Sequence, residues 1–543
     1  MSNTSAGRKG LSDADLQDLV AQADTGGRTA AGPVGTLLLV TAVAWSLFQL
    51  WYASPLPFMF NILILNDTEA RSIHLAFALF LGYLAYPALK RSPRSYIPIQ
   101  DWVLAIVAAF CAGYIFLFYR ELSSRPGMPT QFDLIVAVAG IVLLLEATRR
   151  ALGPPLMIVA IVFLIYTFGG PHMPDVIAHK GASLARTMDQ QWLTTEGVFG
   201  IALGVSTSFV FLFVLFGSLL DKAGAGNYFI KVAFALLGHL RGGPAKAAVV
   251  ASGMTGLISG SSIANTVTTG TFTIPLMKRV GYPAEKAGAV EVSSSVNGQI
   301  MPPVMGAAAF LMVEYVGISY VEVIKHAFLP AVISYIALLY IVHLEALKLG
   351  LKGLDKPNPK TLPMALISFA VTVASIIILS GVVYFGIGWI KTAFGDAASS
   401  IVAVLVLATY IGLVWYSTTV PELVLDDPHS PLLKLPETAP TVKSGLHFLL
   451  PVIVLIWCLM IERLSPGLSA FWATAFMIFI LLTQRPLIAF FRRTDIAGAV
   501  RQGAAELLDG LATGARNMIG IGIATAHKIV QAFGKRTVEV LDS

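Results

Sequence analysis

Two short stretches place small polar residues inside an otherwise apolar chain. The first, Ser259-Gly260-Ser261-Ser262-Ile263-Ala264-Asn265-Thr266, carries hydroxyl and amide oxygens and no charge. In the second, Asn297-Gly298-Gln299-Ile300-Met301-Pro302-Pro303, the two prolines remove backbone donors and disfavour helix at Met301. Asn297, Gly298 and Gln299 loosen the turn before them. Ser261, Ser262, Asn265 and Thr266 are uncharged hard-oxygen ligands, and freed carbonyls around Asn297, Gly298 and Met301 would add to them. Sodium, a hard cation, suits such a set. The competing reading is close packing, since Gly, Ala, Ser and Thr let helices approach throughout membrane bundles. Two interruptions together favour an ion and substrate site, because irregular backbone at membrane depth is tolerated only where it is buried in protein or lines a cavity.

The elements around these stretches must be membrane helices. Apolar residues make up 56% of the 543 positions and charged residues 13%, against about 25% charged in an average soluble domain. That excludes an ordinary soluble enzyme. Apolar blocks fall near 34–53, 73–89, 102–119, 131–148, 153–169, 198–220, 286–316, 326–347, 363–385, 398–417, 446–461 and 466–483. They predict an all-α polytopic protein with about twelve crossings. Between Lys246 and Lys278 lie 31 uncharged positions, roughly 46 Å as one helix, too long for a hydrocarbon layer of about 30 Å. Positive residues flank both ends: Arg241 and Lys246 before, Lys278, Arg279 and Lys286 after. A re-entrant helical hairpin over 245–277, with an irregular tip, is the economical solution, followed by a helix over 286–316 that breaks near its midpoint.

Lys and Arg between blocks set orientation. Arg8, Lys9, Arg28, Lys90, Arg91, Arg94, Arg149 and Arg150 favour a cytoplasmic N-terminus, as do the lysines at 348–360. The net charge of +6 is thereby explained by the bilayer, and no basic stripe remains to predict nucleic-acid binding. Cys111 and Cys458 sit in separate apolar blocks, which excludes a disulfide framework or a CxxC metal site. His239, His326, His343 and His447 lie near span ends without metal-ligand spacing. No GxxxxGK[ST], HExxH or GxSxG motif occurs, so neither ATP hydrolysis nor catalysis by this chain is expected. Among intramembrane acids, Glu291 lies about a turn past Lys286, and Glu146 has Arg149 and Arg150 at ion-pairing helical spacing. Both are read as structural. Ser12 and Asp15 open a capping-box pattern for a short surface helix in the polar N-terminal arm.

The stretch SGSSIANTVTTGTFTIPLMKRVGYPAEKAGAVEVSSSVNGQIMPPVMGAAAF (259–310) closely resembles the large membrane subunit of tripartite ATP-independent periplasmic (TRAP) transporters. LVAQADTGGR (19–28) resembles the N-terminal arm of their TAXI-type fused permeases. The resemblance runs over about 19–525 and is most specific over 241–316. It implies an elevator-type transporter of two inverted repeats, taking up organic anions, typically carboxylates, by sodium symport. A periplasmic TAXI-type substrate-binding protein would deliver them at the bacterial inner membrane. The family's hairpin-tip motif falls on Gly260, Ser261, Ser262, Asn265 and Thr266, and its helix-break motif on Asn297, Gly298, Gln299, Pro302 and Pro303. The resemblance also divides the chain: a cytoplasmic arm (1–33), a four-helix small-subunit-like region (34–150), a linking helix and periplasmic segment (151–197), the first repeat (198–350), connecting helices (351–493) and the start of a second repeat (494–526).

The tail 527–543 departs from that pattern. HKIVQAFGKRTVEVLDS is charged and amphipathic where the family implies a small-residue helix leading to a second hairpin. The expectation is therefore an incomplete second repeat in a truncated or frameshifted product. The alternatives are a half-sized transporter, a non-transporting membrane fragment and, as a third class, a membrane-embedded enzyme for which no catalytic constellation stands.

Overall fold

Long apolar runs punctuated by Gly, Pro and capping residues produce helices almost throughout, with no strand among the described residues. The computed structural model describes residue 28 and residues 32–89, 91–94, 96–260, 262–355, 362–421 and 435–542, with side chains in the final helix described through Ile519. The surface helix expected near Ser12 and residues 422–434 of the acidic loop 418–445 lie outside the described residues.

The first four long helices are α1 (Gly32–Ala53), α2 (Asp67–Ala85), α3 (Ile99–Leu117) and α4 (Gln131–Leu152). Capping boxes start two of them, Asn66 with Glu69 at α2 and Thr130 with Asp133 at α4, each pairing backbone donors that helix ends leave open. Where α2, α3 and α4 converge, Asp101 binds Arg28 at 2.5 Å and Arg150 at 2.9 Å. Arg28 also donates to the carbonyls of Leu84 and Pro93. Glu146 holds Arg149 and Arg150, as their spacing predicts.

There follow α5 (Pro154–Gly169), α6 (Ile201–Lys222, with a π turn over Ser206–Val210) and α7 (Ala225–Leu237). Next come α8 (Gly243–Ser259), α9 (Ser262–Arg279), α10 (Ala284–Gly298), α11 (Ala307–Val316) and α12 (Tyr320–Lys348). The chain continues through α13 (Leu362–Phe394), α14 (Ala398–Ser417), α15 (Leu446–Ile461), α16 (Pro466–Arg492) and α17 (Ile496–Asp542). Helix α17 runs through the middle of the bundle. It packs on α1, α2, α4, α5, α6 and α16 and buries Leu511, Ala512, Ala515, Met518 and Ile519. Its closest partner is α6: a Cβ on Gly514 would meet Leu215 at 2.6 Å, and one on Gly510 would meet Leu219 at 2.8 Å.

Among the described residues, eight helical stretches are long and apolar enough to cross a membrane. The difference from twelve blocks has identifiable causes. Asp67, Glu69 and Arg71 lower the hydropathy of α2, the block 286–316 is split into α10 and α11, and α15 is short. The blocks 363–385 and 398–417 join into one helical stretch, interrupted only by the 3-10 turn Gly395–Ala397.

Buried side chains gather in several sets, one of which joins α7 to α8 and α9 through Ile230, Ala233, Phe234, Ala247, Ala251 and Leu276. The larger core runs through α1–α7, α11, α12 and α14–α17. A smaller one gathers Ala245, Ala248 and Val249 of α8, Met277 of α9, Tyr282, Ala287 of α10, and Val342 and Ala346 of α12. Replacing Asp101 with Ala leaves Arg28 buried without a counter-charge and Arg150 with Glu146 alone, so a loss of about 3–5 kcal/mol of stability is expected. A markedly lower melting temperature in detergent would confirm this, and an unchanged one would contradict it.

Candidate functional site

Helices α8 and α9 lie side by side, joined at Gly260. Gly260 has φ +60°, and a Cβ there would stand 2.6 Å from the Met305 carbonyl oxygen. Both the backbone sign and the close approach therefore require glycine at the turn. At the other end, a Cβ on Gly242 would meet the Tyr282 hydroxyl at 2.7 Å, so the two hairpin ends come together. Along its length α8 touches α10 closely enough that a Cβ on Gly256 would lie 2.5 Å from Gly298 Cα.

The helix break follows α10. The Ile300 and Met301 amides donate to the carbonyls of Asn297 and Gly298, and the Gly306 amide donates to Gln299 O at 2.7 Å. The expectation of freed carbonyls at Asn297 and Gly298 is thus corrected, because a tight turn claims them and the irregular stretch lies over 299–306. Pro302 and Pro303 are joined by a cis peptide bond. The Tyr320 hydroxyl lies 2.7 Å from Pro303 O and 2.9 Å from Val304 O.

The sequence-predicted residues separate into three groups. Ser262 and Gln299 meet across the two interruptions, Nε2 donating to Oγ at 3.1 Å, while Gly260 sits on Met305. Asn265 and Gly298 lie beneath the tip. Asn265 Nδ2 donates to Ser252 O at 2.9 Å and Ser252 Oγ at 3.0 Å, and Oδ1 accepts from Thr255. Its amide is fully engaged in joining α9 to α8. Thr266 turns back on its own helix, donating to Ser262 O, and the Asn297 amide oxygen accepts from Ser334 of α12. Ser261 lies outside the described residues.

Sequence reasoning did not find the polar seam below the tip. Asn265, Thr269 and Thr273 recur every fourth residue on α9, facing Ser252 and Thr255 on α8 and Glu291 and Ser295 on α10. That spacing is a signal visible in the sequence, but only alignment of three helices makes it one seam. Lys286 is not the partner of Glu291; it pairs with Glu345. Residues five apart point about 140° apart on a helix, so the ion pair falls to another element.

The model of the tripartite ATP-independent periplasmic transporter, DctM component, matches residues 139–426, more than half of the chain and all of the hairpin and break. The chain belongs to this family. Relatives of the TRAP permease include a putative TRAP transporter large permease protein of Haemophilus influenzae, 25% identical over 28% of this chain and 35% of its own length. The C4-dicarboxylate TRAP transporter large permease protein DctM of Rhodobacter capsulatus is 34% identical over 17% of this chain and 21% of its own. The 2,3-diketo-L-gulonate TRAP transporter large permease protein YiaN of Escherichia coli is 29% identical over the same shares. The chain thus spans about a third or less of the length of these curated relatives. Family and relatives are transport permeases, not enzymes. In this TRAP permease, Gly256→Val forces α8 from α10 and is expected to cost about 1–3 kcal/mol. A thermal melt of the purified variant checks this, and wild-type stability would contradict the close approach.

Proposed function

We propose that the chain is the membrane permease component of a sodium-coupled TRAP transporter of TAXI type, taking up organic anions such as carboxylates from a periplasmic substrate-binding protein. The observation that carries the reading is the meeting of two backbone interruptions, Gly260 on Met305 and Ser262 with Gln299, within an apolar chain. Irregular backbone of this kind presents carbonyls, hydroxyls and helix ends to ions and anionic groups. The oxygen donors at hand, Ser262 Oγ, the Gln299 side-chain amide and the carbonyls of 300–302, fit a hard alkali cation and offer nothing to a soft metal. Relatives named for C4-dicarboxylate and 2,3-diketo-L-gulonate support an organic-anion substrate.

In this reading α8 and α9 are a re-entrant hairpin entered from the cytoplasmic side, and the remaining helices make a twelve-crossing layout in the inner membrane with the N-terminus inside. An elevator mechanism belongs to the same reading; α8, α9, α10 and α12 share one small set of buried side chains, while Tyr320, Val323 and Ile324 of α12 also enter the larger core.

The test is sodium-gradient-driven uptake of labelled carboxylates into proteoliposomes holding this chain and its cognate binding protein. Ser262→Ala is expected to raise the sodium requirement about tenfold or more, the loss of roughly 1–3 kcal/mol of ligation. Unchanged sodium dependence would remove Ser262 from the site. No specific uptake by the unaltered chain would favour a non-transporting membrane fragment.

A further inference from the structure

Below the hairpin tip, one buried carboxyl lacks a counter-charge. Glu291 is fully buried in α10. Its Oε1 accepts from Thr269 and from Ser295 at 3.3 Å, and its Oε2 accepts from Thr273. All three partners are neutral hydroxyls. The charged groups of α8, α9 and α10 lie elsewhere, toward the end where Gly242 and Tyr282 meet. Lys286 of α10 binds Glu345 of α12, and Lys246 of α8 lies 3.0 Å from His343 of α12. Lys278 and Arg279 close α9, and Glu285 opens α10. Tyr335 of α12 donates to the Ser294 carbonyl at 3.3 Å.

An ionised carboxylate without a counter-ion is costly in such a place, and intramembrane carboxyls mark ion and proton paths. The fit favours a proton over a metal ion. The oxygens around Glu291 already meet in direct hydrogen bonds, and an inserted ion would have to part them, whereas a proton adds no volume.

Two of the hydroxyls also face a choice. Thr269 Oγ1 reaches both the Asn265 carbonyl, at 2.7 Å, and Glu291 Oε1. Thr273 Oγ1 reaches both the Thr269 carbonyl, at 3.0 Å, and Glu291 Oε2. A hydroxyl has one proton to donate. Facing a carboxylate, both donate to Glu291. Once Glu291 carries a proton, its own O–H donates to one of these hydroxyls, which then donates to the α9 carbonyl. Where that hydroxyl is Thr269, the carbonyl receiving the bond belongs to Asn265, the residue that joins α9 to α8.

We propose that Glu291 takes a proton from water and returns it during transport, and that Thr269 and Thr273 pass the change to the hairpin arm carrying Asn265 and Ser262. The role in transport rests on the reading of α8 and α9 as the moving hairpin; the titration of Glu291 is tested independently of it. The experiment is infrared difference spectroscopy of the full chain in lipid across a pH titration, without sodium and then with it. A protonated-carboxyl band should titrate in the unaltered protein and vanish in Glu291→Gln, whose amide keeps the shape of the protonated acid. Thr269→Val removes a donor to the carboxylate and should raise proton affinity about tenfold, which keeps the test decisive if the Gln variant fails to fold. A titrating band unmoved by either substitution overturns the proposal. So does a band erased by sodium at constant pH, which would make this a sodium site. Absence of uptake by the unaltered protein counts against the transport reading and leaves the titration result standing.

Discussion

Backbone groups withdrawn from water must be paired inside the protein, and that constraint governs the region between Gly242 and Val316. A chain that interrupts its helices twice within about fifty residues creates open donors and acceptors where lipid satisfies none. The structure resolves this by placing the interruptions on each other and closing the remaining groups with side chains. Gly260 meets Met305, Gln299 reaches Ser262, and Tyr320 supplies a hydroxyl to the carbonyls of Pro303 and Val304. Glycines at 256 and 298 bring the backbones of α8 and α10 into contact, and the threonine and serine hydroxyls of the seam fill the polar requirement that remains. The irregular backbone is therefore held by structure on all sides, which is what a binding site made of backbone and small side chains needs.

Much of this was legible in the sequence because it rests on local chemistry. A charge-free run too long for one span, with a small polar middle, requires a turn; a Pro-Pro pair requires a break. The helices form on both sides of those features, α8 and α9 about Gly260 and α10 and α11 about 299–306. The half-buried ion pairs of Glu146 follow from spacing on one helix in the same way.

What was not legible depends on how helices rotate against one another. Asn265 reads as a candidate ligand in isolation, yet Ser252 and Thr255 engage its whole amide. Asn297 sits beside the break in sequence but turns to Ser334 on α12. Lys286 precedes Glu291 by little more than a turn, and the helical rotation over five residues sends it to Glu345, leaving the carboxyl among hydroxyls. The central place of α17 against α6 likewise follows from packing of Gly510 and Gly514 that periodicity does not show.

The proposed re-entrant hairpin requires that α8 and α9 enter and leave the membrane on one side. Single cysteines at Arg241 and Gly281, in a background with Cys111 and Cys458 replaced, test it by labelling with a membrane-impermeant thiol reagent in sealed vesicles of known orientation. Both positions are expected to react from the same face. Reaction from opposite faces would make the segment a crossing, and the meeting of the two interruptions would then have to be read as packing between ordinary spans.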